Sequence, residues 1–109
     1  MKTEEINQSH ADFFTRLERQ FPEAMHAAII NVGETELQRL IIGEVAATTT
    51  LFTGFERGDS PAEAKKTYRD GYNALMNKLK NDLRALNLPS GVFDQAVAFG
   101  VEQFNNTRK

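Results

Sequence analysis

Apolar side chains return at steps of three and four along almost the whole chain, the pattern of helices that each bury one face. It is plainest from Ser60 to Asn87, where Tyr68, Tyr72, Leu75, Leu79, Leu83 and Leu86 share one side of a 3.6-residue period. That segment carries its own punctuation. Ser60 is an N-cap residue type, Pro61 suits the first helical position, Glu63 completes a Ser-x-x-Glu capping box, and Pro89 closes the far end. Upstream, Ile6, His10, Phe13, Phe14, Leu17 and Phe21 predict a first helix capped at Thr3 or Ser9 and ending near Phe21, with Pro22 starting a new segment. Met25, Ala28, Ile29 and Val32 predict a short helix over 23–32 that breaks between Asn31 and Gly33.

A second long helix is expected from Thr35 to about Phe55, with Leu37, Leu40, Ile41, Val45, Leu51, Phe52 and Phe55 inside an arc about 140° wide. Thr48-Thr49-Thr50 taken alone favours a strand, but the apolar period on either side favours helix. Arg57-Gly58-Asp59 reads as the turn into the long helix and Leu88-Pro89-Ser90-Gly91 as the turn out of it. A last helix is expected from about Val92 to Asn105, with residues 106–109 fraying. Short connections make neighbouring helices antiparallel. The expectation is therefore an all-α, single-domain bundle of four to five helices, mostly antiparallel, over residues 1–109.

Composition adds limits. A chain of 109 residues with 40% hydrophobic side chains can bury one core without a metal or disulfide to staple it. The absence of cysteine removes disulfides, thiolate metal sites and a cysteine nucleophile, and fits a cytoplasmic, bacterial-type protein. Met1-Lys2-Thr3-Glu4-Glu5 has no apolar run behind it, so no signal peptide is expected, and no stretch is apolar enough to suggest a membrane span. The net charge of −2 conceals an asymmetry: −5 over residues 1–59, +3 over 60–87 and 0 over the remainder. Opposite charges on the two halves would attract within one fold or between copies of it.

Candidate chemistry is sparse. Glu44 projects about 20° from the direction of Leu37 and Phe55, with Thr48 one turn later on the same arc. A carboxylate there is either desolvated or paired with a buried donor, conditions that a ligand site uses; the ordinary outcome is that the helix rotates slightly or that Glu44 reaches past the core edge to a Lys or Arg on a neighbouring helix. His10 sits mid-stripe on the first helix, where it would meet Glu44 across a helix pair as the start of a general base; a hydrogen-bonded core histidine is the ordinary outcome. His26 lies off the stripe of its helix. No spacing of histidines and carboxylates supports a metal, and no glycine-rich loop supports a cofactor. Lys65, Lys66, Arg69, Lys78, Lys80 and Arg84 make the long helix basic, yet Glu63, Asp70 and Asp82 interrupt the field, which argues against nucleic acid.

Gly71, and Ala96 with Gly100, suggest places where another backbone comes close. Ile30, Ile42, Val92 and Phe99 lie off their main stripes, and a helix apolar on two sides is either central or meets a partner. These four are the candidate interface residues; Glu44, Thr48 and His10 are the candidate ligand-binding ones. Together they point to a non-enzymatic helical interaction module, an adaptor, inhibitor or chaperone-like protein that is homodimeric and binds protein. The alternatives are a small-molecule binding protein or enzyme with an interhelical pocket around Glu44, and nucleic-acid binding through the basic helix 60–87.

Overall fold

A computed structural model describes residues 3–59 and 61–107, with side chains over 8–57, 61–64 and 66–107. The described residues form five helical rods: α1 (Thr3–Gln20), α2 (Pro22–Val32), α3 over residues 34–59, α4 (Ala62–Ala85) and α5 (Ser90–Thr107). No strand occurs among them. The three consecutive threonines are helical because two of their hydroxyls bond back along the helix. Thr49 Oγ1 donates to the Val45 carbonyl at 2.9 Å and Thr50 Oγ1 to that of Ala46 at 2.8 Å.

The ends follow local chemistry. Gly33 stops α2 with φ 92°, a conformation that a residue with a Cβ rarely adopts, and its N–H donates to the Ile29 carbonyl. Asn87, at φ 62°, stops α4: its N–H reaches the Arg84 carbonyl and the Leu88 N–H reaches that of Leu83, while Leu83 and Leu88 both enter the core. This is a Schellman ending with asparagine in the left-handed position. The start of α4 differs from expectation. Pro61 has ψ 154° and is the residue before the helix rather than its first member, with no side-chain cap; Ser60 lies outside the described residues. Of the two expected starts of the first helix, Ser9 is internal to α1, which runs from Thr3; the last helix exceeds the expected Val92 to Asn105 at both ends, running from Ser90 to Thr107.

Helix α3 is the irregular element. Residues Arg39–Ala46 and Phe55–Asp59 make i→i+5 hydrogen bonds, with ordinary α turns in Glu34–Gln38 and Ala47–Gly54. The wider turns consume more residues each, so the buried positions fall at steps of four: Leu37, Ile41, Val45 and Thr49 are at most 2% exposed. The arc drawn at 100° per residue is therefore displaced. Leu51, expected on the buried side, is 58% exposed. Leu75 on α4 is likewise exposed, because the stripe there centres on Met76, Leu79 and Leu83.

The core joins Phe13, Phe14 and Leu17 of α1 to Met25 and Ala28 of α2, the buried face of α3, and Val92, Ala96 and Phe99 of α5. Helix α5 is central. It stacks Phe99 on Phe13 of α1 at 4.3 Å, lies against α3 at Gly100, and meets α4 where Lys80 sits over the Phe93 ring. That position accounts for its apolar character on two sides. Its direction is antiparallel to α1 and α4 but parallel to α3, since Thr50 pairs with Gly100 and Arg57 with Asn105.

The approach at Gly100 is close: a Cβ there would come within 2.4 Å of the Ala46 carbonyl oxygen and 2.7 Å of Thr49 Cβ. Thr50 Oγ1 also donates across the gap to the Gly100 carbonyl at 2.9 Å. At Gly71 the expectation fails, because a Cβ there would have nothing within 4 Å. The far ends of α3 and α4 are tied by Phe52 stacked on Tyr72 and Phe55 on Tyr68, at 3.9 and 4.3 Å, and by the Glu56–Arg69 ion pair.

Candidate functional site

The displaced register of α3 decides which candidate residues meet. Ile42, Ala46 and Thr50 turn toward α1 and α5, whereas Glu44 and Thr48 turn toward α4. On the first flank lies an open groove of about 520 Å³ with Ile42, Ala46, Ala47 and Phe99 as its apolar lining and His10, Thr35, Gln38, Arg39, Thr50 and Gln103 as polar members. On the second flank, Glu44 and Thr48 share a smaller trough of about 290 Å³ with Leu75 and Lys78. The structure thus brings His10, Ile42 and Phe99 together and leaves Glu44 and Thr48 elsewhere; the His10–Glu44 couple does not form.

His10 lies half-buried with its ring edge-on to Phe99, centroids 5.9 Å apart at 69°. Burial disfavours its charged form and holds its pKa below the ordinary value of 6.5, so the groove contains a neutral imidazole at neutral pH. The sign of the linked stability follows. The unfolded chain binds a proton here more readily than the folded one, so stability is whole above pH 6.5 and is lost as pH falls below that value toward the lowered folded-state pKa. Melting curves between pH 7.5 and pH 5 should fall less steeply for His10→Gln than for the parent chain, roughly by the one group's contribution. Equal slopes would show that the imidazole titrates alike in both states.

Glu44 is turned to the edge of the core, and its cation comes from its own helix rather than from a neighbouring one. Its side chain is 35% exposed and pairs with Arg39, which also pairs with Glu36 through a 3.0 Å bond from Nε. The hydrogen bond to Arg39 lowers the Glu36 pKa. Arg39 is held more firmly protonated, first by the bond to Glu36 and then by that to Glu44. Its stem runs over Gly43, with Cγ 3.8 Å from where a Cβ would stand. Arg39 borders the groove by its stem, while Glu36 and Glu44 belong to a third hollow on the α4 side, shared with Lys78 and Asp82.

The four interface candidates separate. Val92 is 0% exposed and belongs to the core between α5 and its neighbours, which removes it as a surface residue. Ile42 and Phe99 are also buried, at 8% and 5%, but they line the groove. Ile30, on the outside of α2, is 72% exposed. The residues that sequence reasoning missed are Gly43, Ala46 and Ala47, whose small side chains open the groove, and Leu51, the exposed side chain next along α3. Their signal was the small-residue spacing itself, obscured by the assumed uniform turn.

The arrangement offers shape more than reactivity. Thr50 Oγ1 is engaged by two carbonyls, and the neighbour recorded for the imidazole is an aromatic edge. Among the described residues no group of three or more histidine, aspartate or glutamate side chains is placed to hold a metal, and no helix is long and apolar enough to cross a membrane. The basic helix is broken up: Arg69 pairs with Glu56, Lys78 with Asp82 at 3.0 Å, and Lys80 lies 5.8 Å over the Phe93 ring. No protein-family model matches the chain. Neither the curated proteins nor the solved structures compared with it give a match.

Proposed function

We propose that the chain is a small helical protein-interaction module without catalytic activity, and that it pairs with a second copy along the outer ridge of α3. The observation that carries this reading is a knob and a hollow on one helix face. Gly43, Ala47 and Leu51 are all exposed and follow one another at steps of four. Leu51, 58% exposed, is the knob. Over Gly43 there is room for it, since the nearest side-chain atom to a Cβ placed there is Arg39 Cγ at 3.8 Å.

A two-fold axis through Ala47 relates residue 47 plus four to residue 47 minus four, so each Leu51 would lie over Gly43 of the other copy. Such a patch is self-complementary, as an isologous interface must be. Glu44 beside it is already paired with Arg39, so contact desolvates no free charge. Adaptors, inhibitors and chaperones all fit a module of this kind, and a cytoplasmic location suits a chain without cysteine. The basic-helix reading has less support, given that its cations are paired or dispersed.

Light scattering over a concentration series tests the pairing. The expected particle has twice the 12.3 kDa of the chain, and Leu51→Asp weakens association by about thirtyfold or more, the loss of a central contact worth about 2 kcal/mol. Because Leu51 is exposed, that variant should melt as its own monomer without loss of helix. A parent chain that stays at 12.3 kDa up to sub-millimolar concentration would refute the reading.

A further inference from the structure

The groove between α1, α3 and α5 has a charge balance that selects what enters it. Its volume of about 520 Å³ falls in the range of small-molecule sites. Its floor is apolar, its polar members Thr35, Gln38, Thr50 and Gln103 carry no charge, and among the described residues Arg39 is the only permanent ion bordering it. Arg39 is drawn away from it by two carboxylates on the other side of the helix crest. We propose that this groove binds an uncharged, largely apolar small molecule, and that Glu36 and Glu44 act as positioning residues that keep Arg39 from turning it into an anion site.

The physical basis is the directionality of the guanidinium. An arginine free to rotate about its stem would lay a planar array of donors at the groove mouth and recruit carboxylates, sulfonates or phosphates. Bonds from Nε and the terminal nitrogens to Glu36 and Glu44 use three of its five N–H donors and set two carboxylates against its charge. The neutral imidazole of His10 adds no cation. An anion entering the groove would lose water and meet a guanidinium whose charge two carboxylates already offset, whereas an uncharged apolar molecule loses little and gains contact with Ile42, Ala47 and Phe99. The groove shares Gly43 and Ala47 with the proposed ridge, so pairing of copies would cover its lip, and the monomeric Leu51→Asp chain is where the two readings separate.

Two related fluorophores test it: neutral N-phenylnaphthylamine and anionic anilinonaphthalene sulfonate, titrated against the parent chain and against Leu51→Asp. The neutral probe should bind at least about tenfold more tightly than the anionic one to both proteins, and Ala47→Phe introduced into the monomeric Leu51→Asp chain, where it fills the groove lip without touching a second copy, should weaken it by about tenfold or more. Gln103→Trp, at the opposite lip, serves the same purpose should Ala47→Phe lose helix. In Glu36→Gln/Glu44→Gln the ratio of the two affinities should fall by about tenfold in favour of the anion, and adding Arg39→Gln should restore it. Neutral-probe binding that is absent, or indifferent to both lip variants, overturns the site. A ratio unmoved by the double substitution, with the neutral probe still sensitive to the lip, overturns the role given to Glu36 and Glu44 alone. Selectivity in the parent chain that disappears in Leu51→Asp would show that the probe reads the interface between copies instead of the groove.

Discussion

Gly100→Val is expected to destabilise the fold by about 3 kcal/mol, from overpacking of a close helix crossing and loss of a half-buried hydrogen bond. The Cβ alone would stand 2.4 Å from the Ala46 carbonyl oxygen, which belongs to the backbone and has no rotamer by which to retreat. Moving α5 outward to relieve the clash would break the 2.9 Å bond from Thr50 Oγ1 to the Gly100 carbonyl. A change of about 3 kcal/mol is a large share of the stability of a domain this size. The comparison that isolates the cause is alanine at Gly71 and at Gly100. Alanine improves helix propensity by about 1 kcal/mol at either place, so Gly71→Ala, in open space, should stabilise while Gly100→Ala should not. Urea denaturation of the three variants reads the difference directly, and stabilisation by alanine at position 100 would mean that the two backbones are farther apart than described.

Phe99→Ala is expected to cost about 3–5 kcal/mol, the usual loss for a buried phenylalanine truncated in a core. Phe99 is 5% exposed, stacks face to face on Phe13 at 4.3 Å, and presents its ring to the edge of His10 at 5.9 Å. Its removal has a second effect that a generic core truncation lacks. The ring lies against His10, so its removal exposes the imidazole to water, and the folded variant should show a weaker loss of stability on acidification than the parent chain. Denaturation at pH 7.5 gives the first quantity, and its repetition toward pH 5 gives the second. A loss below about 1 kcal/mol would place the ring outside the core.

Much of this architecture is legible in the residues, and the illegible part has one main source. Pro22, Gly33 and Pro89 mark chain breaks because their backbone limits act locally, and the stripes of α1 and α4 are regular enough to identify Phe13, Leu17, Leu79 and Leu83 as core. The Ala96–Gly100 step correctly marks a close crossing, whereas Gly71 marks none. Helix α3 defeats the period. Its i→i+5 turns are a compromise between packing on α1, α4 and α5, and nothing local announces them. A rotation accumulated over Arg39–Ala46 moves Glu44 from inside the apolar arc to its edge, places it with Arg39, and turns Leu51 outward. The groove was equally hidden. Periodicity marks where side chains fill space, and this hollow exists because Gly43, Ala46 and Ala47 leave space unfilled. The meeting of His10 with Phe99 joins residues far apart in the chain, and helical spacing carries no information on such pairs.

The pairing of copies about Ala47 has its most direct test in a single-cysteine variant, which the absence of any native cysteine makes unambiguous. Ala47→Cys puts one thiol on the proposed two-fold axis, where it meets its own counterpart. Under mild oxidation this variant should form a disulfide-linked dimer rapidly, and far faster than Ala74→Cys, placed on the exposed side of α4. Equal, slow crosslinking of the two variants would mean that the ridge of Gly43, Ala47 and Leu51 faces water and not a second copy.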